Sequence, residues 1–362
     1  MLIYFLYFIF FAFLAVEYEI RPFRGSGLLV FCIIILATLA GFRAPDVARD
    51  YGQYQFAFDN IYDFVRDESG GYFSVFEPGF VALVFLFRQF FIQNYGVAIM
   101  VFFAFASVTL KVISFKKFAI NPFLVLLLYY CHFFVLQEMT QIRIGFASSL
   151  FLISLIYYFR KNYVTFVSII LFATLFHYSA IFYLVILFLR PGKFNRVYFT
   201  SLIILSFILA YIKIPLSGLI GNVDNLDAGG KMSTYADIVE YGVVDGINVF
   251  NVINIIKILI SLYFIFGISE TKRMEDPKFI LFLKLNVFSI FVLSFLSGIP
   301  LVAFRFSELF GLVSMFTIAY LARYLPFKKF NIWFVLIIAA AIFYVNIIYG
   351  NLLNPYHLIK IF

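Results

Sequence analysis

The chain has 362 residues, of which 64 % are hydrophobic, 22 % are aromatic and 13 % are charged. A soluble protein carries about a quarter of its residues as charged side chains, so this composition excludes a soluble globular protein. The apolar residues form blocks separated by short polar stretches, which is the pattern of bilayer-spanning helices. We therefore predict one polytopic integral membrane protein, a single domain over residues 1–362, of all-α fold with about 11–13 transmembrane helices.

The formal net charge is +8, and the placement of the basic residues predicts the topology. Short loops rich in Lys and Arg stay in the cytoplasm. The longer connections 43–76 and 215–247 are acidic, so both are predicted to be extracytoplasmic loops. The basic residues are membrane-flanking groups of two or three without a contiguous patch, which argues against a nucleic-acid partner. They are Arg21 and Arg24; Lys116 and Lys117; Arg160 and Lys161; Arg190, Lys193 and Arg196; Lys272, Arg273 and Lys278; and Arg323, Lys328 and Lys329.

The apolar blocks predict the spanning helices, each needing about 17–25 residues. In chain order they are 2–16, 27–42, 95–115, 122–136, 142–159, 163–176, 180–189, 197–212, 248–268, 279–296, 306–321 and 330–348. The first block lacks a basic segment before it and a small-residue cleavage site after it, which predicts a retained helix and not a signal peptide. Cys32 and Cys131 lie inside apolar blocks and predict no disulfide.

One further apolar block, 78–92, does not fit the predicted topology, in which the chain passes from the outer loop 43–76 to the cytoplasmic residue Lys116. An odd number of crossings is required there, but the chain offers both this block and 95–115. Because 78–92 is short and interrupted by Arg88 and Gln89, we predict that it is re-entrant or tucked against the outer face.

A first polar group follows the second predicted helix and contains Arg43, Arg49, Asp50, Tyr51 and Tyr54. The arginine fork matches phosphate oxygens, and Tyr and Asp suit sugar hydroxyls. The alternative is an interfacial loop with aromatic anchors and salt bridges at its rim.

A second polar group spans residues 137–147. Gln137 and Gln141 share a helix face at i,i+4, as Thr140 and Arg143 do at i,i+3, with Glu138 beside them. An arginine entering a membrane helix is costly unless it is paired or hydrated. The group is therefore a candidate site, and the alternative is that Arg143 only snorkels to the outer surface.

His177 stands at a break between two short apolar blocks on the predicted outer side. A neutral imidazole there could accept a proton, which makes it a candidate general base. The alternative is a structural histidine whose ring is hydrogen-bonded within the protein.

Two further outer groups precede the predicted helix 306–321 and follow the last one. Arg305 and Glu308 are i,i+3 neighbours that either bind a ligand or neutralise each other. Tyr356 belongs to an Asn-Pro-Tyr-His segment that would otherwise be an ordinary loop.

A polar stripe of Asn248, Asn251, Asn254 and Lys257 runs along one helix at a spacing of three. Nine residues place Lys257 about 13 Å below Asn248, near the middle of a bilayer. A lysine at that depth should face a wet or paired interior. We predict that the stripe lines an outward-opening cavity in which Lys257 helps to bind an anionic head group.

Several function classes lack their motifs. The chain has no Walker motif for ATP-driven transport and no GxSxG, HExxH or Cys/His metal spacing, so no metal site is predicted. We also expect no acidic residue buried in mid-helix, which disfavours ion-coupled transport. A channel would not explain the clustering of Arg, His and Tyr on one side.

The polar groups, in this order, resemble the EpsG/Wzy family of bacterial polysaccharide polymerases (O-antigen and exopolysaccharide). The resemblance rests on short motifs that together run across almost the whole chain. They are FR at 42–43 followed by DYGQY at 50–54, EPGF at 77–80, QIRIGFA at 141–147, HYSA at 177–180, FRF at 304–306 and NPY at 354–356.

The resemblance implies that a glycan on undecaprenyl diphosphate is transferred to a second lipid-linked repeat unit, forming O-antigen or exopolysaccharide (lipopolysaccharide) at the outer, periplasmic face of the inner membrane. The expected partners are the lipid-linked glycan donor and acceptor, together with membrane lipid. Whether a chain-length regulator protein is a further partner is left open. The leaving group is already activated, so no cofactor is expected.

The resemblance also implies roles for the candidate residues. The expected catalytic residues are His177 as the favoured base, Arg143 at the diphosphate, and Glu138 and Asp50 as alternative bases. The expected substrate-binding residues fall into three groups. Arg43 and Arg305, followed by Arg49 and Lys257, are expected at the diphosphate, and Tyr51, Tyr54 and Tyr356 at the sugars. Gln141 and Glu77 complete the set, and Glu77 is also a further alternative base.

Two other functions remain open. A flippase for polyprenyl-linked oligosaccharides would need cationic groups in both halves of the membrane, whereas most here lie outside. A ligase or acyltransferase with an outward-facing site is poorly separated from a polymerase by the sequence.

Overall fold

The computed structural model describes residues 1–23, 25–61, 76–91, 94–212, 247–269 and 275–359. Helices dominate these residues, and the only β-pairing within them is two isolated antiparallel bridges, Arg43 with Leu358 and Ala48 with Leu353. The predicted all-α fold is confirmed. The α-helices are α1 Leu2–Ile20, α2 Ser26–Gly41, α3 Tyr51–Asp59, α4 Pro78–Phe90, α5 Tyr95–Phe118, α6 Pro122–Tyr129, α7 Ile142–Phe159, α8 Tyr163–Thr174, α9 Arg196–Ile212, α10 Val252–Leu262, α11 Pro277–Phe295, α12 Pro300–Gly311, α13 Ser314–Ala319, α14 Leu321–Tyr324 and α15 Asn331–Phe343.

The predicted multi-pass membrane character is confirmed. Among the described residues, five helices are long and apolar enough to cross a bilayer, and a sixth span is possible if the bent pair Val302–Gly311 and Ser314–Tyr324 forms one crossing. Seven shorter apolar helices of 10–17 residues accompany them. The five long helices are Leu2–Ile20, Tyr95–Phe118, Ile142–Phe159, Pro277–Phe295 and Asn331–Tyr349.

The two predicted outer loops are described only in part. Residues 43–61 of the first loop form a short 3₁₀ turn, Pro45–Val47, and helix α3. The rest of that loop up to residue 75, and the second loop apart from residue 247, lie outside the described residues, as do Arg24, Lys272 and Arg273. Helix α4 covers 13 residues of the predicted re-entrant block 78–92, about 20 Å of rise and too short for a full crossing.

The chain divides into two compact units, which we describe separately. The first comprises Met1–Glu68, Phe76–Leu184 and Leu321–Phe362, and the second comprises Ser69–Val75 and Val185–Tyr320. In the first unit, α5 packs against α2, α4 and α7, and α8 packs against α7. In the second unit, α11 is the central helix and packs against α9, α10, α12 and α13.

Aromatic side chains build the core beneath one end of the first unit. The ring centroids of Phe80 and Phe103 lie 5.9 Å apart, those of Phe103 and Phe146 5.6 Å, and those of Phe146 and Phe176 4.8 Å. These offset and edge-to-face pairs connect α4, α5, α7 and the end of α8. The starts of α4 and α7 are thereby held beside the end of α8.

A buried polar network crosses the same unit. Lys111 on α5 forms an ion pair with Glu138, which also accepts a hydrogen bond from the Tyr129 hydroxyl at 2.8 Å. Lys111 Nζ donates to Gln137 Oε1 at 2.8 Å, and Ser148 Oγ donates to the same oxygen at 2.7 Å. An apolar interior tolerates these charges because each is paired and hydrogen-bonded.

The network corrects one sequence-based expectation. Acidic residues are buried within helical segments, Glu138 in the π-helix Tyr130–Glu138 and Glu308 in α12. The expectation that they are lacking was wrong because both lie next to motifs that the sequence assigned to the outer edge. Depth inside a folded bundle depends on the neighbouring helices, which hydropathy does not report.

Lys111→Met is expected to destabilise the protein by about 3 kcal/mol or more, because it leaves the Glu138 carboxylate buried without its cation. Thermal unfolding of the detergent-purified protein measures the loss. Lys111→Met/Glu138→Gln should recover much of it, and Lys117→Met, on an exposed residue of the same helix, should change little. Equal melting temperatures for Lys111→Met and the wild type would contradict a stabilising ion pair.

Candidate active site

A glycine brings the start of α4 into contact with the end of α8. The Gly79 amide donates to the Leu175 carbonyl at 2.8 Å. A β-carbon added at Gly79 would lie 2.7 Å from that oxygen and 2.9 Å from Leu175 Cβ, so a larger residue would push the segments apart. Glu77, two residues before the glycine, is thus placed beside His177, two residues after Leu175.

The Glu77 carboxylate joins an arginine and a histidine. Arg143 Nη1 donates to Glu77 Oε2, and His177 Nδ1 lies 3.2 Å from Glu77 Oε1. The Glu77 side chain is 3 % exposed, whereas those of Arg143 and His177 are each 18 % exposed. A buried anion therefore holds two groups that both reach the solvent-accessible surface of this unit.

The electrostatics of Glu77 follow from its two partners. Burial alone raises the pKa of a carboxyl group, but here the His177 hydrogen bond and the Arg143 charge outweigh it and lower the pKa of Glu77 to about 2. Glu77 is therefore ionised over the physiological range and acts as an anchor for the arginine.

Aromatic rings surround the Arg143 guanidinium. Its Cζ lies 4.8 Å from the Phe76 ring centroid, 5.6 Å from that of Phe80 and 6.0 Å from that of Tyr54. The Phe76 and Phe80 rings stabilise the charge without using its N–H donors, whereas the Tyr54 side chain is also a hydrogen-bond partner of the guanidinium. Within the described part of the chain the buried Arg143 Nε has no hydrogen-bond partner, so the guanidinium retains capacity for an anion.

A second arginine, Arg43, is buried in the same unit at 1 % exposure. Its Nη1 donates to the Ala40 carbonyl, and its Cζ lies 5.7 Å from the Tyr51 ring centroid. Tyr51 and Tyr54 are i,i+3 neighbours on α3, so one helix contacts Arg43 through the first ring and Arg143 through the second.

The C-terminal segment pairs with the chain around Arg43. The bridge between Arg43 and Leu358 is one contact, and the Asn354 amide donates to the Val47 carbonyl at 3.0 Å. Arg49 Nη2 donates to the Asn351 carbonyl at 3.1 Å. The Asn-Pro-Tyr motif near the C-terminus thus supports the first polar group of the sequence.

The remaining predicted residues of the first unit lie around this centre. Tyr356 packs edge-on against Tyr4 with ring centroids 6.3 Å apart. Asp50 and Gln141 stand at the N-terminal ends of α3 and α7, and neither side chain caps its helix. Glu138 lies in the buried network with Lys111, and its predicted role as an alternative base stays a prediction.

Lys257 and Arg305 belong to the second unit. Lys257 Nζ lies 3.5 Å from Glu308 Oε1, and a β-carbon at Gly311 would lie 2.5 Å from the same nitrogen. Asn254 Nδ2 donates to the Val249 carbonyl at 2.8 Å, so part of the predicted asparagine stripe serves the start of its own helix. The predicted roles of Lys257 and Arg305 at a diphosphate stay predictions.

Lys111 and the aromatic wall formed by Phe76 and Phe80 were not among the residues predicted from the sequence. A lysine within the apolar block 95–115 is itself a signal of a buried pair. The aromatic wall has no comparable signal in a chain with 54 phenylalanines. Within the described residues, no group of three His, Cys, Asp or Glu side chains is placed to hold a metal ion.

The fold and this cluster define a multi-pass, all-α membrane protein with an arginine and a histidine bound to one buried carboxylate. The chain belongs to the EpsG family, whose model matches residues 27–358. The family predicted from the motifs is thereby confirmed, and it makes the chain a membrane protein of the polysaccharide-polymerase type. No curated protein and no solved structure matches the chain.

The Glu77 anchor predicts acid sensitivity. Since its pKa is lowered in the folded protein, Glu77 contributes stability above its ordinary pKa of 4.5 and loses it as the pH falls towards 2. A shift of this size corresponds to about 3 kcal/mol. Melting temperatures of the purified protein measured from pH 7 to pH 3 should therefore fall more steeply for the wild type than for Glu77→Gln.

The exposed carboxylate of Asp59 provides the control. Asp59→Asn should keep the steep pH dependence of the wild type, since it leaves Glu77 and its two partners in place. If Glu77→Gln and the wild type lose stability in parallel, the carboxylate does not anchor the site.

Proposed function

We propose that the protein polymerises undecaprenyl-diphosphate-linked oligosaccharide repeat units into O-antigen or exopolysaccharide. The reaction is a glycosyl transfer at the outer face of the cytoplasmic membrane. The observation that carries the proposal is the Glu77 carboxylate, which holds the Arg143 guanidinium and the His177 imidazole in one partly accessible site. Membership of the EpsG family supports it.

The arginine suits the leaving group. When the bond between the anomeric carbon and the diphosphate oxygen breaks, negative charge develops on a polyprenyl diphosphate. A fixed guanidinium stabilises that charge without reorganising in the transition state. Arg143 fits this role because Glu77 and the aromatic wall hold it in place while its Nε has no hydrogen-bond partner within the described residues.

The histidine suits the acceptor hydroxyl. If Nδ1 carries its hydrogen and donates to Glu77, the lone pair for a proton is on Nε2. The acceptor oxygen then attacks the anomeric carbon of the growing glycan, its proton passes to Nε2, and undecaprenyl diphosphate departs with the bonding electrons. Every bond, proton and electron pair in this step is accounted for without a metal or a nucleotide. The Glu77 carboxylate stabilises the imidazolium that forms.

The charge distribution supports an outward-facing site. The basic pairs Lys116/Lys117 and Arg160/Lys161 flank α5 and α7 at the ends away from Arg143. The rule that retains such pairs in the cytoplasm predicts the other ends on the outer side.

Arg143→Ala should abolish long-chain polymer, with a loss of about 10²–10³ in rate, because the departing diphosphate loses its cation. The measurement is chain-length analysis after reconstitution with a purified lipid-linked repeat unit. Arg160→Ala removes an exposed arginine from the other end of the same helix and should leave the chain lengths unchanged. Normal ladders from Arg143→Ala protein would contradict the assignment.

His177→Ala should lower the polymerisation rate by about 10²–10⁴, since the acceptor hydroxyl loses its general base. Size-exclusion chromatography in detergent checks that the variant is folded. His357→Ala, which removes an exposed histidine from the C-terminal segment, should retain the wild-type rate. Equal rates for folded His177→Ala and the wild type would exclude His177 as the base.

Deletion of the gene distinguishes a polymerase from the two alternative functions, a flippase and a ligase or acyltransferase. Loss of a polymerase leaves single repeat units on the cell surface, whereas loss of a flippase strands lipid-linked units in the cytoplasmic leaflet. A ligase or acyltransferase would leave polymer formation intact and block its transfer to a further acceptor.

A further inference from the structure

A cavity in the second unit carries basic side chains on an apolar wall. It has a volume of about 490 Å³ and lies where the connection before α9 meets α11. Arg190, Lys193 and Lys284 line it, and no acidic side chain is among the described residues of its lining. Three cations with no counter-ion among the described lining residues are unusual in a chain with only 13 % charged residues.

Lys284 is the deepest of these cations. It is 5 % exposed, and its Nζ donates a hydrogen bond to the Arg190 carbonyl at 2.5 Å. The same nitrogen lies 5.7 Å from the Phe199 ring centroid. A lysine ammonium has three N–H donors, so Lys284 keeps capacity for an anion in the cavity.

The start of α9 adds to the positive character of the cavity. Asn195, another lining residue, accepts a hydrogen bond from the Tyr198 amide at 3.1 Å and so caps the first turn. The N-terminal end of a 17-residue helix carries a partial positive charge directed at this region.

Most of the remaining lining residues are apolar, and the cavity has an exposed apolar rim. Phe199, Leu202 and Phe288 line the cavity, and Phe188 at its rim is 84 % exposed. A soluble phosphate would leave this surface uncovered, whereas a lipid would cover it with an acyl chain.

We propose that this cavity binds an anionic phospholipid, with its phosphodiester between Lys193 and Lys284 and an acyl chain along the Phe199 and Phe288 wall. Basic pockets between membrane helices near the cytoplasmic surface suit such headgroups. The connection with Arg190 and Lys193 is one that the charge distribution predicts on the cytoplasmic side. The cavity shares no lining residue with those that we assign to glycosyl transfer, and the proposal does not depend on that assignment.

Native mass spectrometry of the full-length protein tests the proposal. The detergent-purified chain is incubated with dioleoylphosphatidylglycerol or with dioleoylphosphatidylcholine at equal concentration, and the retained lipid is counted. The wild type should retain the anionic lipid preferentially. Lys193→Gln/Lys284→Gln should lower the affinity for it by about tenfold or more, because two headgroup cations are lost.

The matched control removes the same charge elsewhere. Lys116→Gln/Lys117→Gln changes two lysines at the end of α5 and should keep the wild-type preference. If Lys193→Gln/Lys284→Gln fails to fold, Arg190→Gln/Lys193→Gln, on two exposed side chains, replaces it and should weaken retention in the same direction.

Three outcomes would overturn the proposal. The first is equal retention of phosphatidylglycerol by the wild type and the folded cavity variants. The second is an equal loss in the Lys116/Lys117 control, which would mean that net charge alone governs retention. The third is displacement of the lipid by millimolar inorganic phosphate, which would indicate a site for free phosphate.

Discussion

The candidate site depends on the contacts that the Glu77 carboxylate makes with Arg143 and His177. The carboxylate lies 3.2 Å from the imidazole of His177, one hundred residues later in the chain, and forms an ion pair with Arg143 in the first turn of α7. Without this anion, the Arg143 guanidinium would lie in a poorly solvated place without its counter-ion, and the His177 ring would lose a hydrogen-bond partner. The glycine two residues along makes the contact possible by letting two backbones touch.

The same constraint accounts for the other buried charges. Lys111 is paired with Glu138, Lys257 lies 3.5 Å from Glu308, and Lys284 donates to a backbone carbonyl. An apolar environment penalises an ion that lacks a partner, so a membrane chain keeps few charges in its interior and compensates each of them. Arg43 and Arg143 each have a buried Nε that lacks a hydrogen-bond partner within the described residues. Of the two, Arg143 is the more exposed, with 18 % of its side chain accessible against 1 % of Arg43, so it is better suited to an incoming anion.

The sequence predicted the membrane class and the family because both depend on signals local to the chain. Hydropathy blocks and basic flanks report helices one at a time, and EPGF, QIRIGFA and HYSA are contiguous motifs. The same locality explains what was missed. Glu77 was predicted to bind substrate or to serve as an alternative base. Its role as the partner of His177 was missed because nothing near it in the chain indicates that contact. Glu138 was expected near the outer edge, since its cation lies on a different helix.

What the sequence determined by itself was therefore the kind of protein: an all-α, multi-pass membrane chain of the EpsG family with polar motifs between its apolar blocks. Only the tertiary structure decided which motifs meet. It joined EPGF to HYSA through the Gly79 contact, gave Arg143 its aromatic wall, and assigned Lys257 and Arg305 to the second unit. The physical reason is that burial in a membrane is a property of each segment, whereas the pairing of charges depends on how helices far apart in the chain pack together.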